Sequence, residues 1–169
     1  MPINTKGMSR RALRASMACL LLAALSACGG TPRQAPAAAQ APQDAVIQVG
    51  DVRVRATAVP TRTLGEAIAR QYGISRSDDT VMLLVSVRKG ADETTAVSLP
   101  AQVKAVAIDL RGNRQAIAMR ELRSGDGAGA LVDAVGIADV DAPDTLRFEL
   151  DVTYAGGRAQ LAFAREFHP

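Results

Sequence analysis

Leu146-Arg147-Phe148-Glu149-Leu150-Asp151-Val152-Thr153-Tyr154-Ala155-Gly156-Gly157 is the stretch whose reading decides the fold. Phe148, Leu150, Val152 and Tyr154 fall on one face of an extended chain, and Arg147, Glu149, Asp151 and Thr153 on the other. A period of two marks a half-buried strand. Gly156-Gly157 turns the chain, and the alternation resumes through Phe163. Pairing about that turn predicts Leu150 opposite Phe163 and Val152 opposite Leu161, the strongest part of the core.

Outward from this hairpin the same grammar repeats. Val103–Leu110 and Arg114–Leu122 flank Gly112-Asn113, which suits a two-residue type II′ turn. That turn would set Ile108 opposite Ile117, Val106 opposite Met119 and Lys104 opposite Glu121. Thr80–Val87 is apolar on both faces: Val81, Leu83, Val85 and Val87 on one, Met82 and Leu84 on the other. Such a strand belongs in the middle of a sheet, covered on both sides. Val52–Ala58 alternates cleanly, Thr94–Leu99 does so weakly, and Gly129–Val135 adds one more strand. A single helix is expected near 64–72: Thr63-x-x-Glu66 reads as a capping box, Leu64, Ala67, Ile68 and Tyr72 recur at helical spacing, and Gly73 can cap the C-terminus. Seven or eight strands separated by turn signals predict an all-β domain, a single antiparallel immunoglobulin-like β-sandwich over 46–169. A small barrel is the alternative.

The N-terminus reads as an address. Lys6, Arg10, Arg11 and Arg14 precede an apolar run, Ala15–Ala27, whose thirteen residues would rise only about 20 Å as helix, too short to span a bilayer core. Residues 1–27 are therefore expected to be a secretory signal; Met8 begins a more compact version of it. Leu25-Ser26-Ala27-Cys28 resembles the lipobox of bacterial lipoproteins, which implies lipid on the Cys28 thiol after cleavage. Each buried acyl methylene contributes ~0.8 kcal/mol, so several chains anchor a protein stably. Gly29 at the next position implies export to the outer membrane. Residues 28–45 carry Pro32, Pro36 and Pro42 without an apolar period and read as a linker, its sixteen residues from 29 to 44 reaching roughly 20–25 Å as coil.

Composition narrows the function classes. The chain carries 20 Lys and Arg against 17 Asp and Glu. Removing the four basic residues of the signal leaves 16 against 17, so the exported protein is near −1 and its basic residues are interleaved with acids. Nucleic-acid binding would require a basic patch or stripe, and none is expected. His168 is the only histidine and stands next to the end, and both cysteines lie before residue 29. The common zinc sets and a Ser-His-Asp relay are accordingly not expected. Asp139-Val140-Asp141-Ala142-Pro143-Asp144 is the densest acidic run, but an EF-hand begun at Asp139 would need Gly and Glu where Asp144 and Leu150 stand. It reads as a solvated turn. No metal or cofactor is expected, and no enzyme.

Several stretches resemble an uncharacterised family of exported bacterial proteins, the domain of unknown function 4426. They are Gly50-Asp51, Tyr72-Gly73-Ile74-x-Arg76-Ser77, Val85-Ser86-Val87, Arg120-Glu121, Leu146-Arg147-Phe148 and Phe163-x-x-Glu166-Phe167, spread over about residues 46–168. Asp78 and Leu84 depart from the family pattern, which tends to carry a basic residue and an Asn at those places. The resemblance implies a fold and an export route, not a reaction.

Arg76 and Ser77, in the loop between helix and central strand, are the residues expected to contribute to a contact surface. A short loop between two rigid elements is preorganised, and Arg offers a planar fork suited to a carboxylate. The expected function is a lipid-anchored envelope accessory that contacts another envelope protein; the alternative is a periplasmic small-ligand or substrate-binding module.

Overall fold

A computed structural model describes residues 45–92 and 94–168. The signal (1–27), Cys28 and the linker up to residue 44 lie outside the described residues. Ten strands, counted among the described residues, form two antiparallel sheets. The larger holds β1 (Ala45–Val49), β2 (Val52–Pro60), β3 (Thr80–Lys89), β8 (Leu131–Asp139) and β7 (Arg120–Ser124) in that order, with β4 (Val97–Ser98) beside β3. The smaller holds β10 (Gly157–Phe167), β9 (Asp144–Tyr154), β5 (Ala101–Ile108) and β6 (Arg114–Ile117). One helix, α1 (Glu66–Tyr72), joins β2 to β3. The arrangement is sandwich-like and all-β, as the alternating patterns predict. Two strands exceed the expected eight. Ala45–Val49, whose first residue reads as linker, pairs with β2, and the expected strand 114–122 is divided.

The core lies between the sheets. Val54, Ala56, Val81, Leu83, Val85, Phe148, Leu150 and Val152 are all buried there. Phe148 stacks on Phe163 with ring centroids 5.0 Å apart and meets Phe167 edge-on at 6.5 Å. Such pairs add about 0.5–1.5 kcal/mol beyond area burial. β9 pairs Leu150 with Leu161, Val152 with Ala159 and Phe148 with Phe163, two residues from the expected register. The turn is Ala155-Gly156, with Gly156 at φ 93°, rather than Gly156-Gly157. A slip of two leaves every side chain on its expected face.

The other expected hairpin is corrected more deeply. Asp109 Oδ1 accepts the backbone N–H of Arg111 (2.9 Å) and of Asn113 (2.8 Å), and its Oδ2 accepts from Asn113 Nδ2 (2.6 Å). These bonds close a three-residue loop, Leu110–Gly112, with Gly112 at φ 88°. Ile108 therefore opposes Arg114, and Ala105 opposes Ile117. A slip of three residues exchanges faces: Ala105 and Ala107 take the core side, and Val106 and Ile108 do not. After Ile117 the chain leaves the smaller sheet at Ala118-Met119 and enters the larger as β7. Gly136 of β8 makes room for that crossing. A Cβ there would lie 2.5 Å from Ile117 Cγ2, 2.6 Å from Met119 Sδ and 3.0 Å from the Ala118 carbonyl oxygen. Glu121, expected opposite Lys104, instead pairs with Arg123 at 2.7 Å.

α1 covers half of the outer face of the larger sheet. Leu64, Ala69 and Ile74 bury against Met82, Leu122 and Val135, with Val59, Tyr72 and Leu84 around them. Both faces of β3 are thus covered at this end, as its composition predicts. The apolar stripe is rotated from the expected one: Ala69 is buried, whereas Ala67 and Ile68 face solvent. The capping box does not form. Thr63 Oγ1 donates to the Pro60 carbonyl (2.8 Å), and the N-cap is Gly65, without a side-chain bond. Gly73 caps the C-terminus in the left-handed region (φ 60°), its N–H reaching the carbonyls of Ala69 and Arg70.

Candidate functional site

Thr61, the residue after β2, is the one polar side chain among the described residues that is fully buried. Its hydroxyl can make one donation and two acceptances. Three partners are in place: the Ser77 carbonyl at 3.0 Å, the Ser77 N–H at 2.9 Å and Thr80 Oγ1 at 2.6 Å. The hydroxyl thereby clasps the start of the β2–β3 connection to its end. Losing it would leave a buried N–H of Ser77 unpaired, at a cost of about 1–3 kcal/mol.

The clasp positions charges above it. Arg76 Nη2 and Nε both donate to the Arg62 carbonyl, at 2.7 and 3.3 Å. Arg62 in turn donates Nη2 to the His168 carbonyl (2.9 Å) and stands 3.4 Å from Asp78. Ser77 Oγ accepts the N–H of Asp79 at 3.1 Å. The family-like Arg76-Ser77 pair is thus tied into the local framework, with Arg76 exposed and Ser77 half-buried. Thr61 and Arg62 carry no periodic or motif signal that marks them in the sequence.

The acidic run 139–144 lies at the same end of the sandwich. Val140 N–H donates to the Asp79 carbonyl at 2.9 Å, so the loop after α1 and the acidic turn are joined by a backbone bond. Beside that junction is an open depression of about 450 Å³ whose rim includes Asp79, Asp109, Asp139, Asp141, Arg111 and Arg114. Gln115 spans part of it, its Nε2 donating to Asp139 Oδ2 (2.8 Å) and its Oε1 accepting the Asp139 N–H (3.1 Å). Asn113 holds the Asp109 carboxyl below its usual range by a side-chain hydrogen bond, helped by backbone N–H groups and Arg111. On the neighbouring strand Arg114, then Arg147, lower the Glu149 carboxyl in the same way. These partners hold both groups further toward the anionic form. Among the described residues no three acidic, His or Cys side chains come together in a way that could hold a metal ion. Cys28, the expected lipidation site, lies outside the described residues.

β1 runs antiparallel to β2, with Ala45 opposite Ala56 at the middle of that strand and Val49 opposite Val52. The last strand ends at this site. β10 ends at Phe167, opposite Asp144, and His168 is held by Arg62.

The chain is similar to known proteins as follows. A family model described as a domain of unknown function, DUF4426, matches residues 46–169. A crystal structure of a DUF4426 family protein from Pseudomonas aeruginosa PAO1 matches with TM-score 0.57 at 20% identity, covering 75% of this chain and 95% of that one. The GAE domain of GGA2p from Saccharomyces cerevisiae matches with TM-score 0.31 at 7% identity, covering 76% and 98%. The yeast GGA1 GAE domain matches with TM-score 0.29 at 10% identity, covering 72% and 96%. No curated protein matches the chain.

Proposed function

We propose that this chain, which belongs to the DUF4426 family, is a lipid-anchored envelope accessory protein that contacts another envelope protein through the clasped end of its sandwich. The observation that carries this reading is the interlock of Thr61, Ser77 and Thr80 beneath Arg62, Arg76 and Asp78. A surface held in one geometry before binding loses less entropy on association. Mixed charges at its rim suit orientation and specificity more than raw affinity. The role is non-enzymatic.

Lipid on Cys28 anchors the protein, and Gly29 favours the outer membrane. A tether with a coil reach of roughly 20–25 Å keeps the domain close to the bilayer. The partner therefore presents its own contact near the membrane surface.

Photocrosslinking in cells tests the reading. Probes at Ser75 and Asp141 should capture one dominant envelope protein, and a probe at Ala155, at the opposite end, should not. Equal capture from Ala155, or no capture from either clasp position, overturns the contact. The anchor is tested separately: Cys28→Ser should release the protein from membrane pellets or leave it unprocessed. Mature protein without acyl chains by mass spectrometry overturns the lipid.

A further inference from the structure

We propose that a trough of arginines on the outer face of the six-stranded sheet binds a phosphate group. It lies on the half of that face that α1 leaves open. Arg53, Arg55, Ser86 and Arg88 form its floor and walls, and Gly90, Asp92 and Ala96 its rim, around a volume of about 180 Å³. At about 30 Å³ of liquid per water, that space suits a five-atom oxyanion with a few waters.

The sheet register builds the site. Arg53 stands directly opposite Arg88, and Arg55 opposite Ser86, on the same face of adjacent strands. Like charges set opposite each other across a strand pair oppose folding; an anion between them reverses the sign of that interaction. Arg88 is fixed in place. Its Nη1 donates to the Val87 and Val132 carbonyls at 3.2 and 3.1 Å, and its Nη2 meets Asp133 at 2.6 Å. Arg53 Nε donates to Gln48 Oε1 at 3.3 Å, and both Arg53 and Arg55 have further partners within the chain. A bound phosphate thus joins an existing network of oriented cations. Their approach from two strands suits a group with oxygens on all sides over a planar carboxylate.

The rim encloses the space on one side. Gly90, at φ +141°, comes so close to Ala96 that a Cβ would lie 3.0 Å from Ala96 Cα. The loop after β3 is pinched there, beside the Arg53–Arg88 pair.

The phosphate can belong to a soluble ester or to a phospholipid headgroup. Purified protein is titrated with inorganic phosphate by NMR, and its sedimentation with phosphatidylcholine vesicles is compared with and without phosphatidic acid. Arg53→Gln/Arg55→Gln should weaken the response at least tenfold, and Ser86→Ala several-fold, with Ser86→Ala serving alone if the double variant does not fold. A saturable response to inorganic phosphate assigns a soluble source. A response to phosphatidic acid vesicles alone assigns a headgroup. No saturable response to either, or the same response in the variants, overturns the site.

Discussion

The two halves of the larger sheet's outer face share the same strands yet have opposite chemistry. Leu84 and Ser86 are two residues apart on β3 and face the same way. Leu84 lies with Met82, Val135 and Leu122 under α1, and Ser86 with Arg53, Arg55 and Arg88 in an open trough. The difference follows from the connections. At the Pro60 end, β2 reaches β3 through residues 61–79, enough chain to fold a helix back over the sheet. At the other end, β1 reaches β2 through Gly50 and Asp51 alone, and the connection after β3 reaches only the rim of the trough. A sheet's second face is apolar only as far as its connections can cover it.

The comparison can be broken by substitution. Met82→Ala, in the covered half, should destabilise by about 2–5 kcal/mol in urea unfolding, the range for deleting a packed side chain and leaving a cavity. A loss below about 1 kcal/mol would mean that α1 only rests on the sheet. Arg88→Ala, in the open half, should cost less, about 1–3 kcal/mol, because Asp133 loses its partner while some solvent remains. If it cost more than Met82→Ala, the trough would be a structural centre in its own right. Gly73→Ala should cost about 1–2 kcal/mol through the left-handed cap alone. Met82 and Arg88 are about 20 Å apart along β3, so the double variant should match the summed single effects within about 0.5 kcal/mol. A larger mismatch would couple the two halves. Arg53→Gln should change stability by less than about 0.5 kcal/mol, because it relieves the repulsion from Arg88 as it removes a charge.

Periodicity made faces legible and left connectivity open. The core row Phe148, Leu150, Val152 and Tyr154 follows from alternation alone, and a two-residue slip at Ala155-Gly156 does not disturb it. The segment 114–122 alternates almost as well, yet it serves two sheets. Nothing in its own residues marks the crossing, because the space for it comes from Gly136 on another strand. The Asp109 bonds that set the loop before it are equally invisible to a pattern of apolar residues. The helix was legible from Gly73 and its spacing, but Thr63 turned its hydroxyl back to Pro60 and left the N-cap to Gly65. Of the site, Arg76 and Ser77 were legible as a loop between rigid elements. Their joining to Thr61 and to the acidic turn depends on strand pairing across the molecule.

The pairing of β3 with β8 also governs the order of assembly. It joins Ser86 to Asp133 and Thr80 to Asp139, a separation of about fifty residues. A chain that emerges N-terminus first presents β3, apolar on both faces, long before β8 exists to cover its open edge. Until then that edge is a template for other strands. β9 and β10, by contrast, are adjacent and can zip together as soon as both are out. Capture of β8 by β3, like that of β9 by β5, which joins Ala101 to Tyr154, waits for distant chain, and the interval before it is when the exposed strand most needs protection from aggregation.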